Sequence, residues 1–102
     1  MKIAIPTNDR VNVAEKTGRA KEFAVIEIIN SEVKNTDYRI NSHKHGSSEQ
    51  KHTHKDLVKL LKDCDSIIAN RFGKHLKDDM AEAEIELKLT EETEIKEIIN
   101  KL

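Results

Sequence analysis

The hydrophobic period first turns helical near residue 55, and that change restricts the fold more than any other feature. Before it, apolar residues come in short runs rich in β-branched types. Lys2-Ile3-Ala4-Ile5-Pro6 reads as a short buried strand that Pro6 ends. Phe23-Ala24-Val25-Ile26-Glu27-Ile28-Ile29 is nearly continuous in apolar character, as a buried strand is. Val33 to Ile40 is more polar and suits an edge strand. Asn30-Ser31 between them is a turn signal, so the second and third strands should form a hairpin. After the change, Leu57, Leu60, Leu61 and Cys64 fall on one helical face, with Thr53 and Asp56 resembling a capping box. Ser66-Ile67-Ile68-Ala69 is the next buried strand. Phe72, Leu76, Met80 and Ala83 form a second helical stripe. Ile85, Leu87 and Leu89 alternate with charged residues as a half-buried strand, and Ile95, Ile98, Ile99 and Leu102 repeat at helical spacing. Thr90 or Thr93 is the expected cap of that last helix. The order βββαβαβα predicts a mixed sheet covered by helices in one domain spanning residues 1–102.

The segment between the two regimes, His43 to His54, holds four of the five histidines as two His-x-His pairs. It carries no apolar residue, so it cannot contribute to a core and should be a surface loop. Alternate residues of an extended segment point the same way, so His43 with His45, and His52 with His54, can each face one ion. Neutral imidazoles are good ligands for zinc, copper, nickel and iron. The plainer reading is a polar loop whose histidines pick up stray metal.

Charge and cysteine content remove several function classes. With 18 basic and 19 acidic residues the net charge is −1, which gives no reason to expect affinity for nucleic acid or an anionic membrane. No apolar run is long enough to span a bilayer and the start does not read as a signal peptide, so a cytoplasmic location is expected. The single cysteine, Cys64, excludes an internal disulfide, and its place in a helical stripe makes it a core residue.

If the first three strands run up, down and up, the loops after the first, third and fourth strands open at one sheet edge. Ligands of open α/β sheets bind at the carboxyl ends of strands. Thr7, Asn8, Gly18 and Arg19 would then face the histidine segment, with Asn70, Arg71, Gly73, Lys74 and His75 beside it. Imidazoles on one side and cations on the other would suit a bulky anionic metal cluster. The competing reading is that Arg71, Lys74 and His75 only solvate a helix end.

Met1-Lys2-Ile3-Ala4-Ile5-Pro6, Gly18-Arg19-Ala20-Lys21-x-Phe23, His45-Gly46, Asp65-Ser66-Ile67-Ile68-Ala69 before Gly73, and Leu89-Thr90-Glu91-Glu92-Thr93 occur in an order that resembles the dinitrogenase iron-molybdenum cofactor biosynthesis family. The resemblance covers nearly the whole chain. It implies a three-layer α/β/α domain with a ribonuclease-H-like motif, a five-stranded mixed sheet of order 3-2-1-4-5 and an antiparallel second strand. It also implies non-catalytic binding of an iron-sulfur or molybdenum-containing cluster or its precursor, exchanged with donor and acceptor proteins. Members often carry His-Phe before Gly-Arg-Ala, where Lys16-Thr17 stands here, and a glycine before the fifth strand, where Glu84 stands. Their glycine-rich loop after the fourth strand is Asn70-Arg71-Phe72-Gly73 in this chain.

Three readings of function stay open on the residues alone. One is a cluster carrier, one a carrier or sensor of a single zinc, copper or nickel ion, and one a metal-free interaction module. An enzyme is not expected. Asp9, Glu27 and Asp65 are spread over different strand ends and directions, and no base accompanies Cys64.

Overall fold

The computed structural model of the protein describes residues 1–41 and 55–101. Five strands form one sheet: β1 (Lys2–Thr7), β2 (Glu22–Ile29), β3 (Glu32–Ile40), β4 (Ser66–Ala69) and β5 (Glu86–Leu89). Their order is β3-β2-β1-β4-β5. β2 is antiparallel to β1 and β3, while β4 is parallel to β1 and β5. Three helices cover it: α1 (Lys55–Leu61), α2 (Lys74–Glu82) and α3 (Ile95–Asn100). No helix among the described residues is long and apolar enough to cross a membrane.

The side-chain period of each strand divides the core in two. Ala4, Phe23, Val25 and Ile67 face α1 and α2, where they meet Leu57, Leu61, Cys64, Leu76 and Met80. Ile3, Ile5, Ala24, Ile26 and Ile68 face α3 and meet Ile95 and Ile98. Two helices thus lie on one face and one on the other. That follows from two successive crossovers moving the same way across the sheet, from β3 to β4 and from β4 to β5.

The hairpin forms where the turn signal predicts it. Asn30 and Ser31 both take positive φ, at 54° and 67°, the pattern of a two-residue turn whose twist matches the strands. Other expectations need correction. Pro6 does not end β1 but pairs with Phe23 inside it. The β1–β4 ladder runs only through Ile3 and Ala4, so no β4 partner needs the missing N–H. Leu89 is 69% exposed rather than half-buried, and it lies at the end of the edge strand β5. Neither Thr90 nor Thr93 caps α3: the cap position is Glu94, without a side-chain bond. Instead the Thr90 hydroxyl accepts the Glu92 amide at 3.1 Å and organises the preceding loop. The suggested cap at Thr53 lies outside the described residues, as does Leu102.

Candidate functional site at the carboxyl edge of the sheet

β1, β3, β4 and β5 run the same way, so Thr7, Ile40, Ala69 and Leu89 end at one edge. The β1–β2 connection (residues 8–21), the β4–α2 loop (residues 70–73) and the β5–α3 loop (residues 90–94) meet there. The loop after β1 is built around two side chains. The buried Thr7 hydroxyl donates to the Asn12 carbonyl at 2.6 Å and accepts the Arg10 amide at 2.9 Å. Asp9 Oδ1 accepts the amides of Asn12 at 2.7 Å and Val11 at 2.9 Å, and its Oδ2 accepts the Asn12 side-chain amide at 2.9 Å. Those amides, Asn12 first and Val11 next, hold the Asp9 carboxyl down at about 2. These hydrogen bonds all lie within its own loop, so Asp9 is an organiser of that loop.

Next comes a single 3-10 turn, Thr17–Arg19, tied from two sides. Buried Thr17 donates its hydroxyl to the Arg71 carbonyl at 2.7 Å, across to the loop between β4 and α2. Asn41, just past β3, donates its side-chain amide to the Ala20 carbonyl at 2.8 Å and the Gly18 carbonyl at 3.3 Å. The turn is therefore bracketed by the β4–α2 loop on one flank and the chain leaving β3 on the other. Gly18 and Gly73 both lack positive φ, so neither is glycine for conformational reasons. Nothing lies within 4 Å of where a Gly73 Cβ would sit.

The nine predicted residues that are described separate into two groups. Thr7, Asn8 and Asn70 have internal partners. Asn8 Oδ1 accepts the Lys21 amide at 2.9 Å. Asn70 donates to the Thr90 and Glu92 carbonyls, both at 2.9 Å, and so fastens the β5–α3 loop. Arg19, Arg71 and Lys74 are exposed and form no ion pair with a described residue. By contrast Arg10, at the same edge, is held bidentately by Glu22 at 2.9 Å and lies 4.4 Å above the Tyr38 ring. Gly18 and Gly73 flank the unpaired cations, and His75 is exposed on the first turn of α2. His43, His45, His52 and His54 lie outside the described residues.

Ligating capacity in the described part of the edge is small. Among the described residues no three His, Cys, Asp or Glu side chains group as a metal site. Cys64 is buried in the α1–α2 face of the core, and that burial pushes its thiol up to about 11. Asp65 sits at the opposite end of the sheet, where it accepts the Lys2 amide at 2.8 Å. The described edge therefore carries charged groups of both signs and hydrogen-bonding side chains, without a grouped set of metal ligands among the described residues.

Sequence reasoning missed Asp9, Thr17 and Asn41. The polar run Thr7-Asn8-Asp9 before Asn12 carries the signature of a side-chain-bonded turn and could have revealed Asp9. Asn41 had no local signal, because its partners lie more than twenty residues away.

Fold and edge together define a small α/β domain with a mixed five-stranded sheet, whose carboxyl edge carries Arg19, Arg71 and Lys74 on one side and Glu91, Glu92 and Glu94 on the β5–α3 loop. The chain belongs to the dinitrogenase iron-molybdenum cofactor family, whose model matches residues 1–102. Among solved structures it is similar to the protein PH0822, at 22% identity and a TM-score of 0.80 over 98% of this chain and 87% of that one. It is also similar to the MJ0327 protein of Methanocaldococcus jannaschii, at 19% identity and a TM-score of 0.75 over 97% of this chain and 84% of the other. The TM1290 protein of Thermotoga matches at 18% identity and a TM-score of 0.74, over 97% and 84% of the two chains. No curated protein matches the chain.

Proposed function

We propose that the protein binds and carries, without transforming it, an anionic iron-sulfur or molybdenum-sulfur cluster or its precursor at the carboxyl edge of the sheet. Family membership supplies the class of cargo. The observation that favours the reading is the bond from the Thr17 hydroxyl to the Arg71 carbonyl, which ties the turn that carries Arg19 to the loop that carries Arg71. A sulfide-saturated cluster is negatively charged and needs cations and N–H donors more than it needs open ligand positions. Arg19, Arg71 and Lys74 are of that kind, and exposed cations without partners attract anions over roughly a Debye length. His43, His45, His52 and His54 are candidates for direct ligation of a metal. A carrier rather than an enzyme is favoured because Asp9 and Asp65 are committed to the fold and Cys64 is buried. Cluster donor and acceptor proteins are the expected partners.

The test is a pair of anaerobic titrations of the parent and an Arg71→Glu/Lys74→Glu variant. One uses zinc and the other a reconstituted iron-sulfur or molybdenum-sulfur cluster. The cluster should bind the variant at least about tenfold more weakly, while zinc binds equally or better. Equal cluster affinity in the two proteins would refute the anionic-cluster reading. Tight stoichiometric zinc, copper or nickel binding abolished by alanine at the four histidines would make the protein a carrier or sensor of a single ion. No binding of either kind would leave a metal-free interaction module.

A further inference from the structure

The Thr17–Arg19 turn has little of its own to fix it. Within it, Ala20 donates to the Thr17 carbonyl at 3.3 Å and Arg19 to the Lys16 carbonyl at 3.2 Å, both long bonds. Its position is set instead by side chains at its two flanks. Thr17 is 3% exposed and reaches the Arg71 carbonyl, which belongs to a loop fifty-four residues further on. Asn41 holds the carbonyls at Gly18 and Ala20 from the end of β3, and its backbone amide adds a bond to the Lys21 carbonyl at 2.9 Å.

We infer that Thr17 is a positioning residue that ties the Arg19 turn to the Arg71 loop, while Asn41 fixes the same turn to the end of β3, so that the two arginines recognise a small sulfur-ligated metal anion jointly. This rests on the cargo reading above and deepens it by naming the recognition device. Two cations on independently moving loops must each be ordered when an anion binds. Two cations on one fixed frame have that ordering done beforehand, and the anion binds more tightly for the same contacts. The polar side chain at Thr17 fits this role better than a core-filling role. Removal of its hydroxyl leaves a carbonyl of the opposite loop without its partner, and a buried group in that state destabilises the junction it belongs to.

The variants are Thr17→Val, which keeps the shape and loses the hydroxyl, Thr17→Ser, which keeps the hydroxyl, and Asn41→Ala. Amide exchange is measured first, on the metal-free protein. In Thr17→Val the amides of residues 18–20 and those of 71–73 should exchange faster together, and Thr17→Ser should restore both. A change confined to residues 18–20 would overturn the joint unit, whatever the protein binds. Tetrathiomolybdate is then titrated anaerobically into the parent, Arg19→Gln, Arg71→Gln, the double variant, and the same four with Thr17→Val. In the Thr17 background the two arginines should be coupled, and Thr17→Val should weaken binding about tenfold while removing most of that coupling. Asn41→Ala should act in the same direction. Undiminished affinity or coupling in Thr17→Val would refute the positioning role. A parent that does not bind the dianion would overturn the cargo reading and the recognition role with it, and the exchange result would still decide whether the two loops move as one.

Discussion

Arg39→Met tests a contact that no local pattern announces. Arg39 lies on the edge strand β3, yet its guanidinium reaches the far end of α1. Nη1 donates to the Leu60 carbonyl at 2.8 Å and to Asp63 Oδ1 at 2.6 Å, and Nη2 donates to Asp63 Oδ2 at 2.9 Å. Lys2 Nζ adds a bond to Asp63 Oδ2 at 3.1 Å. The last carbonyls of a helix lack intrahelical partners, and a cation there is favourable. Methionine keeps an apolar stem over the α1 face and removes the charged fork. Hydrogen bonds to charged groups contribute about 1.5–3 kcal/mol when enclosed. Arg39 is 22% exposed and Asp63 43%, so solvent screening lowers the expected loss to about 1–2 kcal/mol. For a domain of this size that is a fall in Tm of about 5–10 °C.

The same loss should depend on pH. Asp63 is held well below its ordinary value of 3.8, first by the hydrogen bonds from Arg39 and further by Lys2. A carboxyl lowered in the folded state stabilises the fold above its unfolded pKa, and that contribution disappears as pH falls through the folded value. The gap between parent and Arg39→Met should therefore be full at neutral pH, shrink below about pH 4 and close in strong acid. Urea melts with an unchanged m-value at several pH values read it directly. A gap under about 0.5 kcal/mol at neutral pH, or one that persists undiminished into strong acid, would refute the argument.

Glu84 closes α2 at φ 64°, with Glu84 N bonded to the Ala81 carbonyl and Ile85 N to the Met80 carbonyl, a helix stop that favours glycine. Glu84→Gly should raise unfolding stability by about 0.5–1.5 kcal/mol in a urea melt, and a loss of stability would count against the assigned conformation. Leu61→Ala, at a fully buried site between α1 and the sheet, should cost about 2–4 kcal/mol in the same assay, and a cost below 1 kcal/mol would mean that this face is loosely packed.

What the sequence determined by itself was the series of elements and which side of each is buried. Those depend on spacing within a few residues: Leu57 and Leu61, Leu76 and Met80, Ile95 and Ile98 recur at helical intervals and all are buried. The resemblance extended this to the strand order, which the sheet has. The Asn30-Ser31 turn was legible for the same reason, since its backbone requirement is local. Tertiary structure decided everything that depended on which strand neighbours which. Pro6 survives inside β1 because its missing N–H has no β4 partner, and Leu89 is exposed at the end of the edge strand β5. At the candidate site, residue types suggested cations and polar groups converging at one edge. Their division into groups was not readable. Arg10 and Arg19 are the same residue type nine positions apart, but Glu22 and Tyr38 engage the first and no described residue pairs with the second. Thr17 and Asn41 join loops distant in sequence. Hydrogen bonds of that kind leave no periodic trace, because both partners are chosen by the packing of the sheet and not by their neighbours in the chain.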